Sequence, residues 1–293
     1  MGVANIKLQG KINERCIGCF LKTYQRLFKK FDICENNQQS FISFLHELVN
    51  TSNCHSSPEI QRLLNRKFCQ IIEADNPFKD EKTYSNRLAL ELYNGWKQNV
   101  QESKSSFNLA LRLAIAGNIM DYGVRNSFNL EQTIERVLLA KFAIDHSSQL
   151  EERLLQAKSV LYIGDNAGEI VFDRLLIETI NHPNLVYAVR GGFVLNDATM
   201  EDAYDVGLDK VVRVISSGFD APSTIVDKSS LEFQRYFNEA DLIISKGQGN
   251  LEGLLPLNDN RIFFLLMVKC DVIADLLSVP RGSFVVYNSA NVS

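Results

Sequence analysis

Much of what would place this chain at once is missing from it. No apolar run in its 293 residues is long enough to span a bilayer, and the opening MGVANIKLQGKINERCIG lacks the long apolar core of a signal peptide. There is no basic excess. Lys and Arg number 31 against 35 Asp and Glu, a net charge of -4, which leaves no footprint for nucleic acid and no polybasic membrane segment. No Walker A sequence occurs, and the spacing Gly247-x-Gly249 reaches its next glycine only at Gly253, one residue late for a dinucleotide fingerprint. Histidine is scarce. None of His46, His55, His146 and His182 follows a strand beside a nucleophile elbow, which argues against a Ser-His-Asp hydrolase. The early Cys16-x-x-Cys19 has no second pair to complete a four-cysteine zinc site. These absences predict a cytoplasmic protein whose six cysteines are thiols or ligands and not disulfides, and they require local groups to hold any anionic substrate.

What is present is an ordinary globular composition, 45% hydrophobic and 23% charged, with room for one large domain or two. Its patterning changes once. Up to about residue 157 apolar residues recur at helical spacing, as in Phe20, Tyr24, Leu27 and Phe28, in Phe41, Phe44 and Leu45, and in Ile134, Val137, Leu138 and Phe142. From Lys158 on, short apolar runs dominate: 160–163, 185–189, 211–215, 242–244, 262–267 and 284–287, separated by helical stretches such as 170–180 and 229–238. Buried strands alternating with helices imply a Rossmann-like, mostly parallel α/β/α sheet. The expected organisation is therefore a helical region, 1–157, followed by an α/β region, 158–293, that carries the binding site.

In such sheets ligands bind beyond the carboxyl ends of the strands, and three strand ends here are polar. They read Gly164-Asp165-Asn166-Ala167-Gly168-Glu169, then Arg190-Gly191-Gly192-Phe193-Val194-Leu195-Asn196-Asp197, then Ser245-Lys246-Gly247-Gln248-Gly249-Asn250. Singly, each Asp or Asn reads as a helix cap and each Gly as a turn residue. Together, Asp165, Asn166 and Asp197 supply hard oxygen donors suited to a divalent cation. Lys246 adds a cation among glycines, and a helix starting near Gly168 would aim free N–H groups at a phosphate. Glu169 either orients a metal-bound water or is an acidic first-turn residue favoured by the helix dipole. Asp173 reads as structural, Asp202 as support for the site, and Cys16 and Cys19, which share a helix face, as a buried structural pair.

The motifs GDNAGEIVFD (164–173), NDAT (196–199) and SKGQGNLE (245–252) resemble those of the DUF89 family, the ARMT1-like group of metal-dependent damage-control phosphatases. The resemblance extends to Cys16-x-x-Cys19, to Asn76-Pro77-Phe78 with Lys82 and Asn86, to Gly117-Asn118-Ile119-Met120-Asp121 and to Lys269-Cys270, covering nearly the whole chain. It implies a phosphatase using Mn²⁺, Co²⁺, Ni²⁺ or Mg²⁺ on sugar phosphates or damaged phosphometabolites. Its metal ligands carry over to Asp165, Asn166 and Asp197, and its phosphate lysine to Lys246 with Asn250 nearby. Asn118 and Asp121 would close the crevice from the helical half. Phe193 stands where the family usually has Pro, and Asn76 where it usually has Asp, departures that bear on loop shape. The attacking group is either a metal-bound water or the Asp165 carboxylate. Competing readings are an S-adenosylmethionine-dependent methyltransferase and a non-catalytic metal- or phosphate-binding protein.

Overall fold

A computed structural model describes residues 13–51, 56–118 and 127–289. The helical stripes fold as α1 (Glu14–Lys30), α2 (Glu35–Thr51), α3 (Ser57–Ile72), α4 (Lys79–Glu102), α5 (Ser106–Gly117) and α6 (Ser127–Leu139). A short strand β1 (Ile144–Asp145) and helix α7 (Ser147–Gln156) lead into the alternating part: β2 (Val160–Ile163), α8 (Glu169–Ile180), β3 (Leu185–Val189), α9 (Met200–Asp205), β4 (Arg213–Ser216), α10 (Leu231–Glu239), β5 (Leu242–Lys246), α11 (Gly247–Leu254), β6 (Ile262–Met267), α12 (Asp271–Leu277) and β7 (Phe284–Tyr287). No helix among the described residues is long and apolar enough to cross a membrane.

The strands form one sheet in the order β1-β7-β6-β5-β2-β3-β4. All neighbours run parallel except β6 and β7, which are antiparallel. Five of the six expected strands fall where the apolar runs place them, the 242–244 strand running on to Lys246. The expected 211–215 strand begins later, at Arg213, because Val211 and Val212 close the turn after α9 through hydrogen bonds to Leu208. Strand β1 has no sequence signal of its own; two residues are too few to show a period, and only pairing with β7 makes them a strand.

In β2, Val160 and Tyr162 enter one core while Leu161 and Ile163 enter the other. Covering both faces of a strand is what makes its sequence a continuous apolar run. The first of these cores mixes Leu88, Tyr93, Leu111 and Ile134 with Ile170, Tyr187 and Leu265. Helices α4 to α6 are thus one layer of the sandwich, and the change of pattern near residue 158 is a change of layer within a shared core. A separate cluster built on Phe20, Tyr24, Phe41, Leu64, Phe68 and Phe78 joins α1, α2 and α3, with Leu195 of the β3–α9 loop packed against it.

That helical cluster is also pinned by charge. Asp220, in the loop after β4, accepts from Arg62 Nε at 2.6 Å and Arg66 Nε at 2.7 Å, both on α3. Burial alone would raise its carboxyl, but the two guanidinium bonds outweigh it and hold the group below the ordinary carboxylate value. An acid depressed in the folded state stabilises the fold above its unfolded pKa and loses that contribution as pH falls through the folded value. Asp220→Asn should therefore cost about 1 kcal/mol near pH 7, a deficit in urea titrations that shrinks as pH drops from about 5 toward about 3.

Candidate active site

Strand β2 has β3 on one side and β5 on the other, so the order of connection reverses between β2 and β5. A crevice opens at such a switch point beyond the carboxyl ends of the strands, and here those ends are Gly164-Asp165 and Lys246-Gly247. The β2–α8 loop is zipped to the β3–α9 loop by backbone bonds. Ala198 N donates to Asp165 O at 2.8 Å, Ala167 N donates to Asn196 O at 2.9 Å, and Asn166 and Asp197 form an isolated antiparallel bridge. This zipper brings Asp165, Asn166 and Asp197 together although about thirty residues of chain separate the first from the last.

Two glycines make the close approach possible. A Cβ on Gly164 would stand 2.1 Å from the Tyr187 hydroxyl, and one on Gly247 only 1.9 Å from Asp165 Oδ2. Gly247 also has φ +79, in the left-handed region that side chains disfavour.

The side chains form two linked groups. In the outer one, Asn118 Nδ2 and Asn166 Nδ2 donate to Asp165 Oδ2 at 3.0 and 2.8 Å, and the same two amides donate to Glu169 Oε2 at 2.9 and 3.0 Å. Arg190 Nε donates to Asp197 Oδ2 at 2.5 Å, and its Nη2 lies 4.0 Å from Asp165 Oδ1. In the inner group Lys246 Nζ lies 2.6 Å from Glu169 Oε1, 2.5 Å from Asp173 Oδ1 and 2.8 Å from Ala114 O. Asp173 also accepts from the hydroxyls of Tyr162 and Tyr187 at 2.7 and 2.8 Å.

Four acids (Asp165, Glu169, Asp173, Asp197) and two cations (Arg190, Lys246) are therefore buried together. The strain shows in the acids. Burial first, then the charges of Glu169 and Asp197, push the Asp165 carboxyl well above its ordinary value. Burial pushes Asp173 up to about 6 against the pull of Lys246. Lys246 shows the reverse balance: burial would lower it, but Asp173 and Glu169 together raise it.

This geometry revises several sequence expectations. Lys246 is fully buried, and its ammonium is surrounded by oxygens of Glu169, Asp173 and Ala114. Asn250 is also fully buried, and both ends of its amide are committed. Nδ2 donates to Gly164 O and Lys246 O at 3.0 and 2.8 Å, and Oδ1 accepts from Thr224 Oγ1 at 2.9 Å and from Arg190. It braces the ends of β2 and β5. The Gly168 N–H is not open to a phosphate, because it donates to Asn86 Oδ1 of α4 at 2.6 Å. Asn86 Nδ2 in turn donates to Asp202 Oδ1 at 3.0 Å, and Lys82 Nζ pairs with Asp202 Oδ2 at 2.6 Å. Asn118 does reach the site from the helical layer, whereas Asp121 lies outside the described residues. Cys16 is half-buried and Cys19 exposed, so the pair is not a buried one; burial, then the charge of Glu252, pushes the Cys16 thiol up to about 11.

Sequence reasoning gave Arg190 and Lys269 no role and Asp173 only a structural one. Arg190 ends a wholly apolar strand, a costly place for a guanidinium unless it is paired, and that was the available signal. Asp173 could not be told from a surface helix acid, since its importance comes from Lys246, 73 residues away. Lys269 follows β6, half-buried, and its positive charge acts on Asp165 ahead of that of Arg190.

A divalent cation fits this set. Asp165 and Asp197 supply carboxylate oxygens and Asn166 an amide oxygen, and the buried Asn118 Oδ1 has no hydrogen-bond partner. No three His, Cys, Asp or Glu among the described residues are arranged to hold a metal by themselves, so the seat depends on its Asn ligand. The cation's positive charge would also ease the crowding of the buried acids.

Residues 12–285 match the model of the damage-control phosphatase ARMT1-like domain. The chain is 36% identical over 284 residues to a protein named damage-control phosphatase PH1575 from Pyrococcus horikoshii, covering 94% of this chain and 97% of that one. It is 29% identical over 287 residues to a protein named damage-control phosphatase from Archaeoglobus fulgidus, covering 94% and 98%. A crystal structure of a DUF89 family protein from P. horikoshii superposes with a TM-score of 0.86 at 34% identity, covering 96% of this chain and 99% of the other.

Proposed function

The chain belongs to the damage-control phosphatase ARMT1-like family, and on that premise we propose that it hydrolyses phosphate esters of small metabolites, sugar phosphates or damaged phosphometabolites, with a divalent cation held by Asp165, Asn166 and Asp197. The observation that carries this reading is the cluster of four buried acids, Asp165, Glu169, Asp173 and Asp197, around only two buried cations at the β2/β5 switch point. A bound cation supplies neutralisation of charge on the phosphoryl oxygens as the ester bond breaks. The protein's own groups supply the rest. Asn118 and Asn166 fix the Asp165 carboxylate through Oδ2, and Arg190 fixes Asp197. Lys269, half-buried after β6, adds positive charge near Asp165. Lys246 and Asp173 act beneath the seat, holding Glu169 against the two amides.

The test is phosphate release from a panel of sugar phosphates and other phosphometabolites with Mn²⁺, Co²⁺, Ni²⁺ or Mg²⁺, before and after chelation. Release that depends on added cation is expected. Release unchanged by chelation would remove the metal from the reaction, and cation binding without release from any ester would favour a non-catalytic binding protein.

A further inference from the structure

The metal ligands proposed above lie on two loops, and both loops are anchored to one amide on α4. Asn86 Oδ1 accepts from Gly168 N at 2.6 Å, and Gly168 follows Asn166 by two residues. Asn86 Nδ2 donates to Asp202 Oδ1 at 3.0 Å. Asp202 Oδ2 in turn accepts from Thr199 N and Thr199 Oγ1, both at 2.8 Å, and Thr199 follows Asp197 by two residues. Lys82, one helical turn before Asn86, pairs with the same Asp202 Oδ2 at 2.6 Å. Lys82, Asn86, Thr199 and Asp202 are all buried. We propose that Asn86 is a positioning residue for the cation: by joining Gly168 to Asp202 it locks the turns that follow Asn166 and Asp197 and so holds these ligands ready for the metal. The inference rests on the metal seat proposed above.

The position demands an amide. Gly168 presents a donor and Asp202 an acceptor, and asparagine accepts at one end of its side chain while donating at the other. Aspartate would set a second carboxylate against Asp202, and an apolar side chain would leave both groups buried without this link. The backbone zipper aligns the two loops as far as Ala167 and Ala198. Beyond it the chains part into α8, which Gly168 opens at φ +77, and α9, which Thr199 caps. Asn86 spans the parted arms, so zipper and amide together close a frame around Asn166 and Asp197. The base of that frame is firm. Leu88, Ala89 and Tyr93 bury the next turns of α4 in the core that also takes Val160, Tyr162 and Tyr187 of β2 and β3. Without Asn86 the arms could shift while the zipper held, and cation binding would have to order them; partners that orient metal ligands in this way typically govern affinity by about 10- to 100-fold.

Titration of Mn²⁺ into the metal-free wild type and Asn86→Ala tests this, read by the electron paramagnetic resonance signal of free Mn²⁺, with thermal unfolding reporting the fold. In folded Asn86→Ala the Mn²⁺ dissociation constant should rise about 10- to 100-fold. A residue that only stabilised the fold would lower the unfolding midpoint and leave that constant within about threefold of the wild type. That result overturns the assignment and leaves the metal seat standing. A wild type that binds no Mn²⁺ overturns both. Should Asn86→Ala not fold, hydrogen exchange in the metal-free wild type decides. The Gly168 amide should then exchange at least about tenfold more slowly than an amide in an unfolded chain, and exchange at the unfolded rate would show that Asn86 does not hold this turn and refute the role.

Discussion

Asp165→Ala should lower cation-dependent phosphate release on the order of 10³-fold or more while leaving the fold intact. The two halves of this expectation have separate causes. Activity falls because Asp165 lies between Asn118, Asn166 and the reach of Arg190, and no other carboxylate can move into its place; Glu169 is held by the same amides and by Lys246. Stability is preserved because an ionised Asp165 is unfavourable when the cation is absent: it is buried and crowded by Glu169 and Asp197, which is why its carboxyl sits well above the ordinary value. Removing it relieves like-charge repulsion, and its backbone carbonyl, which accepts from Ala198 N, is unaffected. Thermal unfolding should show an unchanged or raised midpoint without metal and no further rise when Mn²⁺ is added. Retained turnover, or a metal-induced rise like that of the wild type, would refute the site.

The second large effect is expected at Lys246 and concerns stability. Lys246→Met leaves Glu169 and Asp173 buried side by side with no cation between them. Breaking a buried pair by removing one partner costs about 3–5 kcal/mol, which lowers the unfolding midpoint by roughly 10 °C in a chain of this size. The Tyr162 and Tyr187 hydroxyls soften the loss at Asp173, but nothing equivalent supports Glu169 Oε1. The opposite outcome has a clear meaning. If Lys246 served the phosphate, the variant would keep its midpoint and show a raised KM, and the charge-balancing role given to it here would be wrong.

Both predictions concern residues that stood out in the sequence, and the structure gives them different surroundings: Asp165 lies among the amides of Asn118 and Asn166, Lys246 among buried acids. Asp165, Asn166 and Asp197 were legible because their chemistry is local: an Asp-Asn pair ending an apolar run offers oxygens to a crevice whichever helices cover the sheet. The sheet was legible for a similar reason, since a strand buried on both faces must be apolar throughout, as Val160–Ile163 and Ile262–Met267 are.

What the sequence by itself determined is therefore the periodicity, the parallel sheet and the oxygen donors at its strand ends. Tertiary structure alone decided which polar groups face the crevice and which face one another. Lys246 follows a buried strand and precedes a glycine-rich turn, a description that suits a phosphate ligand and a buried counter-ion equally. Asp173, one helical turn after Glu169, and the Ala114 carbonyl of α5 are its neighbours, which supports the second. Asn250 and Gly168 changed meaning in the same way, through Arg190 and Asn86. The reason is the energetics of burial: an uncompensated charge or amide inside a protein costs so much that it takes the nearest partner the fold provides, and that partner comes from a distant part of the chain.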